Sequence, residues 1–223
     1  KKKSKFLTHP PDSGIIEWIF LSLYYYSPPK EVGVFSTEKK IKKSHLSGGI
    51  HMSKTEKAKV YFTDFHTIAF GDGLPTKLKK LIRKAGIGSI DMDGKFVAIK
   101  MHFGELGNIS YLRPNYAKAV VDVIKELGGK PFLTDCNTMY PGSRKNALEH
   151  LECAWENGFT PLTVGCPIII GDGLKGTDDI AVPVAGGEYI KEAKIGRAVM
   201  DADVFISLTH FKGHETTGFG GTI

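Results

Sequence analysis

Residues 96–134, FVAIKMHFGELGNISYLRPNYAKAVVDVIKELGGKPFLT, read as strand, helix, strand. Phe96–Phe103 is an apolar run of strand length. Pro114–Leu127 carries Ala117, Val120, Val121 and Ile124 at helical spacing, with Pro114 at its start and Gly128 and Gly129 at its end. Pro131–Thr134 is apolar again. Two strands joined through a helix lie parallel in one sheet, because the crossover returns the chain to the same edge before the second strand begins.

The same alternation extends both ways. Upstream, Lys59–Phe65 predicts a strand and Leu74–Ala85 a helix with Leu78, Leu81 and Ile82 on one face, opened by Pro75 and stopped by Gly86. Downstream, a helix is expected over Ser143–Asn157, capped by Ser143 and ended by Gly158, then a strand over Val164–Ile170. A short edge strand (Ile180–Val184), a helix (Ile190–Met200) and a strand (Val204–Leu208) complete the pattern. The fold class expected is α/β, a mostly parallel sheet with helices on both faces, incomplete at the C-terminus.

Ligands in such sheets bind beyond the carboxyl ends of the strands, where loops and helix N-termini converge. Each strand is therefore informative at its exit. One leaves through Lys100, His102, Gly104 and Glu105, the next through Asp135, Cys136, Asn137 and Thr138, with Tyr140 and Arg144 following. Gly171, Asp172 and Gly173 follow Val164–Ile170, and THFKGHETTGFGG follows Val204–Leu208. His102, Asp135, Asn137, Tyr140, Arg144, Asp172, Gly218 and Gly220 are the candidate ligand-binding residues. His210, Lys212 and His214 are the candidate catalytic residues, the two histidines as ligands or acid/base groups and Lys212, with Arg144, to neutralise charge.

Two chemistries compete for that last loop. His210, His214 and Glu215 would suit a divalent metal such as zinc or ferrous iron. Alternatively, His210 and Lys212 donate to a phosphate or carboxylate in a nest of glycine amides. The bland readings stay beside these: Asp135, Asn137 and Asp172 as turn formers, His102 and His150 as core imidazoles. GFGG lacks the ending of a P-loop, and GDG is too short for a dinucleotide fingerprint.

The net charge of +6 does not indicate nucleic-acid binding. Lys1–His51 holds nine lysines against four acidic residues, which leaves +1 for everything from Met52 onward. The three cysteines are Cys136, Cys153 and Cys166, far apart and without a CxxC pair, so they fit buried thiols in a reducing, cytoplasmic compartment. The apolar run Ile15–Tyr26 falls short of the roughly 20 residues a membrane span needs. Ser47–Met52, SGGIHM, resembles a translated ribosome-binding site before a start codon. Residues 1–51 are accordingly expected to be a non-native or flexible leader, and 52–223 the α/β domain.

Three stretches, TDCNTMYPGSRKNALEHLECAWENGF, CPIIIGDGLKG and DADVFISLTHFKGHETTGFGG, closely resemble the bacterial and archaeal family called domain of unknown function 362, whose members are described as iron–sulfur or ferredoxin-like proteins. The resemblance covers Met52–Ile223 and points to Asp135, Asn137, Tyr140, Arg144, His150, Asp172, His210, Lys212, His214 and Gly218. It implies a redox protein with a ferredoxin-type (4Fe-4S) iron–sulfur cluster in its full length and an electron-transfer partner. The family pattern continues past the glycine loop into cysteine clusters, so the cluster ligands are expected to lie beyond Ile223. The function expected is the ligand-binding α/β portion of such a protein, with a non-redox metal- or anion-binding module as the alternative.

Overall fold

The computed structural model describes residues 17–23, 33–35, 59–210 and 212–221. Its strands are β1 (Glu17–Leu23), β2 (Gly33–Phe35), β3 (Val60–Phe62), β4 (Phe96–Lys100), β5 (Lys130–Asp135), β6 (Ile168–Ile170), β7 (Asp179–Pro183), β8 (Glu192–Gly196), β9 (Val204–His210), β10 (Lys212–His214) and β11 (Gly218–Gly220). The helices are α1 (Leu74–Lys84), α2 (Pro114–Glu126), α3 (Ala147–Glu156), α4 (Pro161–Val164) and α5 (Arg197–Met200).

The main sheet has the order β3-β2-β1-β9-β4-β5-β6. β1, β9, β4, β5 and β6 are mutually parallel, and β2 and β3 are antiparallel additions at one edge. The α/β class expected from the alternation is the class observed. Of the N-terminal 51 residues, β1 and β2 are strands of this sheet, and the remainder of the expected leader lies outside the described residues.

Strand periodicity assigns the two faces of the sheet. Val97 and Ile99 of β4, Leu133 of β5, and Val204, Ile206 and Leu208 of β9 pack with Leu78, Leu81 and Ile82 of α1, the α2 stripe, Ala154 and Val164. Ala98, Phe132 and Phe205 point the other way, onto Val199 of α5 and Ala202. Strands buried on both faces read as unbroken apolar runs, which is why VFISL of β9 shows no alternation in hydrophobicity.

Several local expectations are corrected. α3 begins at Ala147, not Ser143; the cap is Asn146, whose Oδ1 accepts from the backbone N–H of Leu148 and Glu149, both at 3.1 Å. Val164 ends a helix rather than opening a strand. Thr160 and Thr163 form a reciprocal cap around Pro161, Gly165 closes the turn at φ 81°, and only Ile168–Ile170 is extended. The helix expected over 190–200 is β8 followed by the single turn of α5. β8 pairs antiparallel with β7 in a separate two-stranded sheet, so the segment near Ile180 is half of a hairpin and not an edge of the main sheet. Gly196 ends β8 where a Cβ would lie 2.7 Å from the carbonyl oxygen of Gly171.

Candidate functional site at the carboxyl ends of the strands

Register brings the exits level. Lys100, the last residue of β4, pairs with Thr134 of β5 on one side and Ser207 of β9 on the other, and Asp135 pairs with Ile170 of β6. His102 therefore stands two residues beyond the Lys100 pairing and His210 three beyond Ser207, on adjacent strands. Their rings meet edge to face, centroids 6.4 Å apart and planes at 86°. Asn137 and Asp172, each two residues beyond a paired position, meet on the other side. From β4 the chain moves outward to β5 and β6, whereas β9 lies on the opposite flank of β4. The junction of the β4 and β9 exits is thus a topological switch point, the kind of place where open α/β sheets bind ligands.

A buried charge cluster sits beside that junction. Asp135 is 7% exposed and Arg144 4%. Arg144 Nη1 lies 3.7 Å from Asp135 Oδ2, and Lys100 Nζ lies 3.4 Å from Asp135 Oδ1. The Arg144 guanidinium also pairs with Glu105, Nε donating to Oε1 at 3.0 Å, and its Nη2 donates to the Tyr140 hydroxyl at 2.6 Å. The Tyr140 hydroxyl in turn donates to Glu105 at 3.2 Å. Partial burial raises the Glu105 carboxyl, but the hydrogen bond and charge of Arg144 more than reverse this and hold it below the usual range. Arg144 lies in the loop between β5 and α3, and the bond from Thr138 N–H to its carbonyl, 2.8 Å, closes the turn that returns it to the rim.

The imidazoles are neutral by environment. Burial, reinforced by the Arg144 charge, pulls His102 down from 6.5 to about 4, against the opposing pull of Asp135 and Glu105. His210 is lowered by burial and then by Lys212 and Lys100. The backbone N–H of Gly104 donates to His102 Nδ1 at 2.8 Å, so the neutral ring carries its proton on Nε2 and presents a donor. His214 is held the same way, its Nδ1 accepting from Thr216 and Thr217 N–H at 3.2 and 3.3 Å. Histidines that ligate metals usually donate their second nitrogen to an acceptor and leave the other lone pair for the ion. His102 and His214 show the opposite arrangement.

Asn137 and Asp172 clip two loops together. The Asn137 backbone N–H donates to Asp172 Oδ1 and Oδ2 at 3.0 and 3.1 Å, and its side-chain amide donates to Asp172 Oδ1 and to the Gly173 carbonyl, both at 2.9 Å. Their turn-building role is therefore on display. Lys212, His214, Gly218 and Gly220 lie on the β10–β11 hairpin and Glu215 in its turn, where Lys212, His214 and Glu215 are exposed. Among the described residues, no three His, Cys, Asp or Glu side chains converge into a metal site, so His210, His214 and Glu215 are not assembled as one.

The cysteines do not fit an iron–sulfur cluster here. Burial, with Asp172 and Asp135 adding to it, pushes the Cys136 thiol up to about 11, and burial pushes Cys166 to about 11. Cys153 packs against the Gly104 carbonyl, its Sγ 3.6 Å from the oxygen. Three protonated thiols in separate places offer no thiolate set.

Tyr111 and Asn157 were invisible as site supports in the sequence. Asn157 Nδ2 donates to the Phe103 carbonyl at 3.0 Å and Tyr111 hydroxyl to the Asn157 carbonyl at 3.1 Å, which braces the turn carrying His102. No local signal announces contacts 46 and 54 residues apart.

A family model described as domain of unknown function (DUF362) matches residues 97–223. The thylakoid-associated protein sll1697 of Synechocystis sp. is 28% identical over 138 residues, which is 58% of this chain and 37% of that protein. The chain thus spans little more than a third of the length of this curated relative. No solved structure matches the chain. Among the described residues, no helix is long and apolar enough to cross a membrane.

Proposed function

The chain belongs to the family described as domain of unknown function DUF362, and on that footing we propose that its α/β unit binds a small anionic ligand at the junction of the β4 and β9 exits. The observation that carries this is the pair of neutral imidazoles at the switch point, with His102 committed to the Nε2–H form by the Gly104 N–H. A ring in that form donates to oxygen and has no lone pair left for a cation. Lys212, exposed beyond His210, and Lys100 supply positive charge at the mouth. The opposed design, a metal held by His210, His214 and Glu215, would need these side chains to converge and His214 Nδ1 to be released from its turn.

Within this proposal the chain is the ligand-binding portion of a redox protein. The iron–sulfur centre implied by the family resemblance takes its thiolates from outside the described residues, and an electron-transfer partner would approach that part of the protein. No step of the ligand chemistry proposed here passes through such a cluster. His102 orients the anion through its Nε2–H, with the His210 ring beside it, while Lys212 offsets charge.

Isothermal titration of the full chain with inorganic phosphate and with succinate tests the proposal. His102→Leu removes a donor to a charged ligand, so affinity is expected to fall about tenfold or more, from roughly 1.5–3 kcal/mol per charge-assisted hydrogen bond. Binding of zinc at equal stoichiometry, lost in His210→Ala with His214→Ala, and no response to either anion would replace the anion site with a metal one.

A further inference from the structure

Against the loop that carries Glu105 packs a histidine that plays no part in the rim. His150 is 0% exposed, sits on α3, and meets Phe103 edge to face at 5.8 Å. Neither ring nitrogen has a hydrogen-bond partner among the described residues. A leucine or phenylalanine would fill the same volume without stranding two polar atoms, so packing alone does not account for an imidazole there. The charges that act on it are Arg144, Asp172, Glu105 and Lys100. By geometry, His150 packs on Phe103, two residues before the Glu105 that pairs with Arg144, and Cys153, three residues on along α3, packs on the Gly104 carbonyl. Over the guanidinium lie Glu105 and the half-exposed Tyr140, the carboxylate of Glu105 standing where an oxyanion would pair with Arg144.

We propose that Arg144 and His150 form a buried oxyanion subsite, in which His150 donates a ring N–H to an oxygen held by Arg144 and Glu105 is the internal carboxylate that the ligand displaces. The subsite rests on the anion reading of the rim and extends it inward: the ligand is a phosphate or a carboxylate whose charged end reaches past the loop mouth. Arg144 supplies the fork that matches either group, and the neutral His150 supplies a donor without adding a second buried charge. Glu105, itself partly exposed, can leave to solvent.

The test compares Glu105→Gln, His150→Leu and His150→Gln in the full chain, each titrated with inorganic phosphate and with succinate and each melted without ligand. Glu105→Gln is expected to tighten anion binding several-fold, because the competing carboxylate is gone. His150→Leu is expected to weaken it about tenfold while the ligand-free melting temperature holds or rises, and His150→Gln, which keeps an N–H donor, should retain more affinity than His150→Leu. A merely structural His150 would give the reverse, a lowered melting temperature with unchanged affinity. If anions bind through His102 but neither Glu105→Gln nor His150→Leu alters the affinity, the subsite is wrong and the rim site stands. If the unmodified chain binds neither anion, both fall. Preference for phosphate over succinate, or the reverse, identifies the source of the oxyanion.

Discussion

At Gly104 one absent Cβ holds the site in place. Its φ is 90°, and a Cβ there would lie 2.7 Å from both Asn157 Nδ2 and a ring carbon of Tyr111. The same residue's N–H sets the tautomer of His102. Gly104→Ala combines backbone strain with a clash against the bracing pair, and a loss of about 1–3 kcal/mol is expected from the strained conformation alone. Urea unfolding measures it, and the His102 imidazole nitrogen shifts should move with it; an unchanged midpoint would show that the turn relaxes. The histidines also write a pH signature. His102 and His150 are both held at about 4 by burial and then by Arg144, against an ordinary 6.5. As pH falls from 6.5 to 4 the unfolded chain takes up protons that the folded chain refuses. Stability is therefore full above 6.5, declines through this window by up to about 1.4 kcal/mol per pH unit for each ring, and stops declining on this account below about 4. Denaturation at pH 7, 5.5 and 4 should show His150→Leu with a shallower slope than the parent; equal slopes would refute the assignment.

Between elements, the clip of Asn137 on Asp172 ties the β5 exit to the β6 exit. Asp172→Ala strands the Asn137 backbone N–H and removes an acceptor from its amide, so about 1–3 kcal/mol of stability should be lost. Hydrogen exchange at Asn137 should accelerate, and protection as in the parent would show another acceptor taking over. The elements also show which local signals carried. α1 and α2 were legible because proline starts, glycine ends and helical stripes agree. α4 was signalled by Thr160-Pro161 and Gly165, a cap, a first-turn proline and a stop, yet the apolar run around Pro167 suggested a longer strand. Residues 192–196 misled for another reason: a segment with both helical and alternating character becomes a strand when a partner supplies the ladder, and that partner is β7.

Across the whole molecule, the sheet centre should dominate stability. Ile206 of β9 is fully buried between β1 and β4, whereas Ile169 on the edge strand β6 is 43% exposed. Ile206→Ala is expected to destabilise by about 2–5 kcal/mol, from lost transfer energy and a cavity, and Ile169→Ala by under about 1 kcal/mol. Chemical denaturation of the two variants distinguishes them, and similar losses would contradict the strand order.

The exits as a class were legible from local sequence, since each strand announces its own end by giving way from apolar to polar and glycine residues. In that sense His102, Asp135, Asp172 and His210 were visible as one rim before any coordinates. Which of them touch was not. The β9 strand pairs with β4 across 107 residues, Val97 opposite Val204, and that ladder is what sets His102 against His210. Arg144 reached Glu105 and Asp135, and His150 came to pack on Phe103, through the same kind of long-range packing. The sequence by itself determined the alternation of strand and helix and the chemistry at each strand end, because periodicity, caps and breakers act within a few residues. Tertiary structure alone decided the neighbours, because hydrogen-bond ladders and ion pairs between distant segments depend on where the folded chain brings them together.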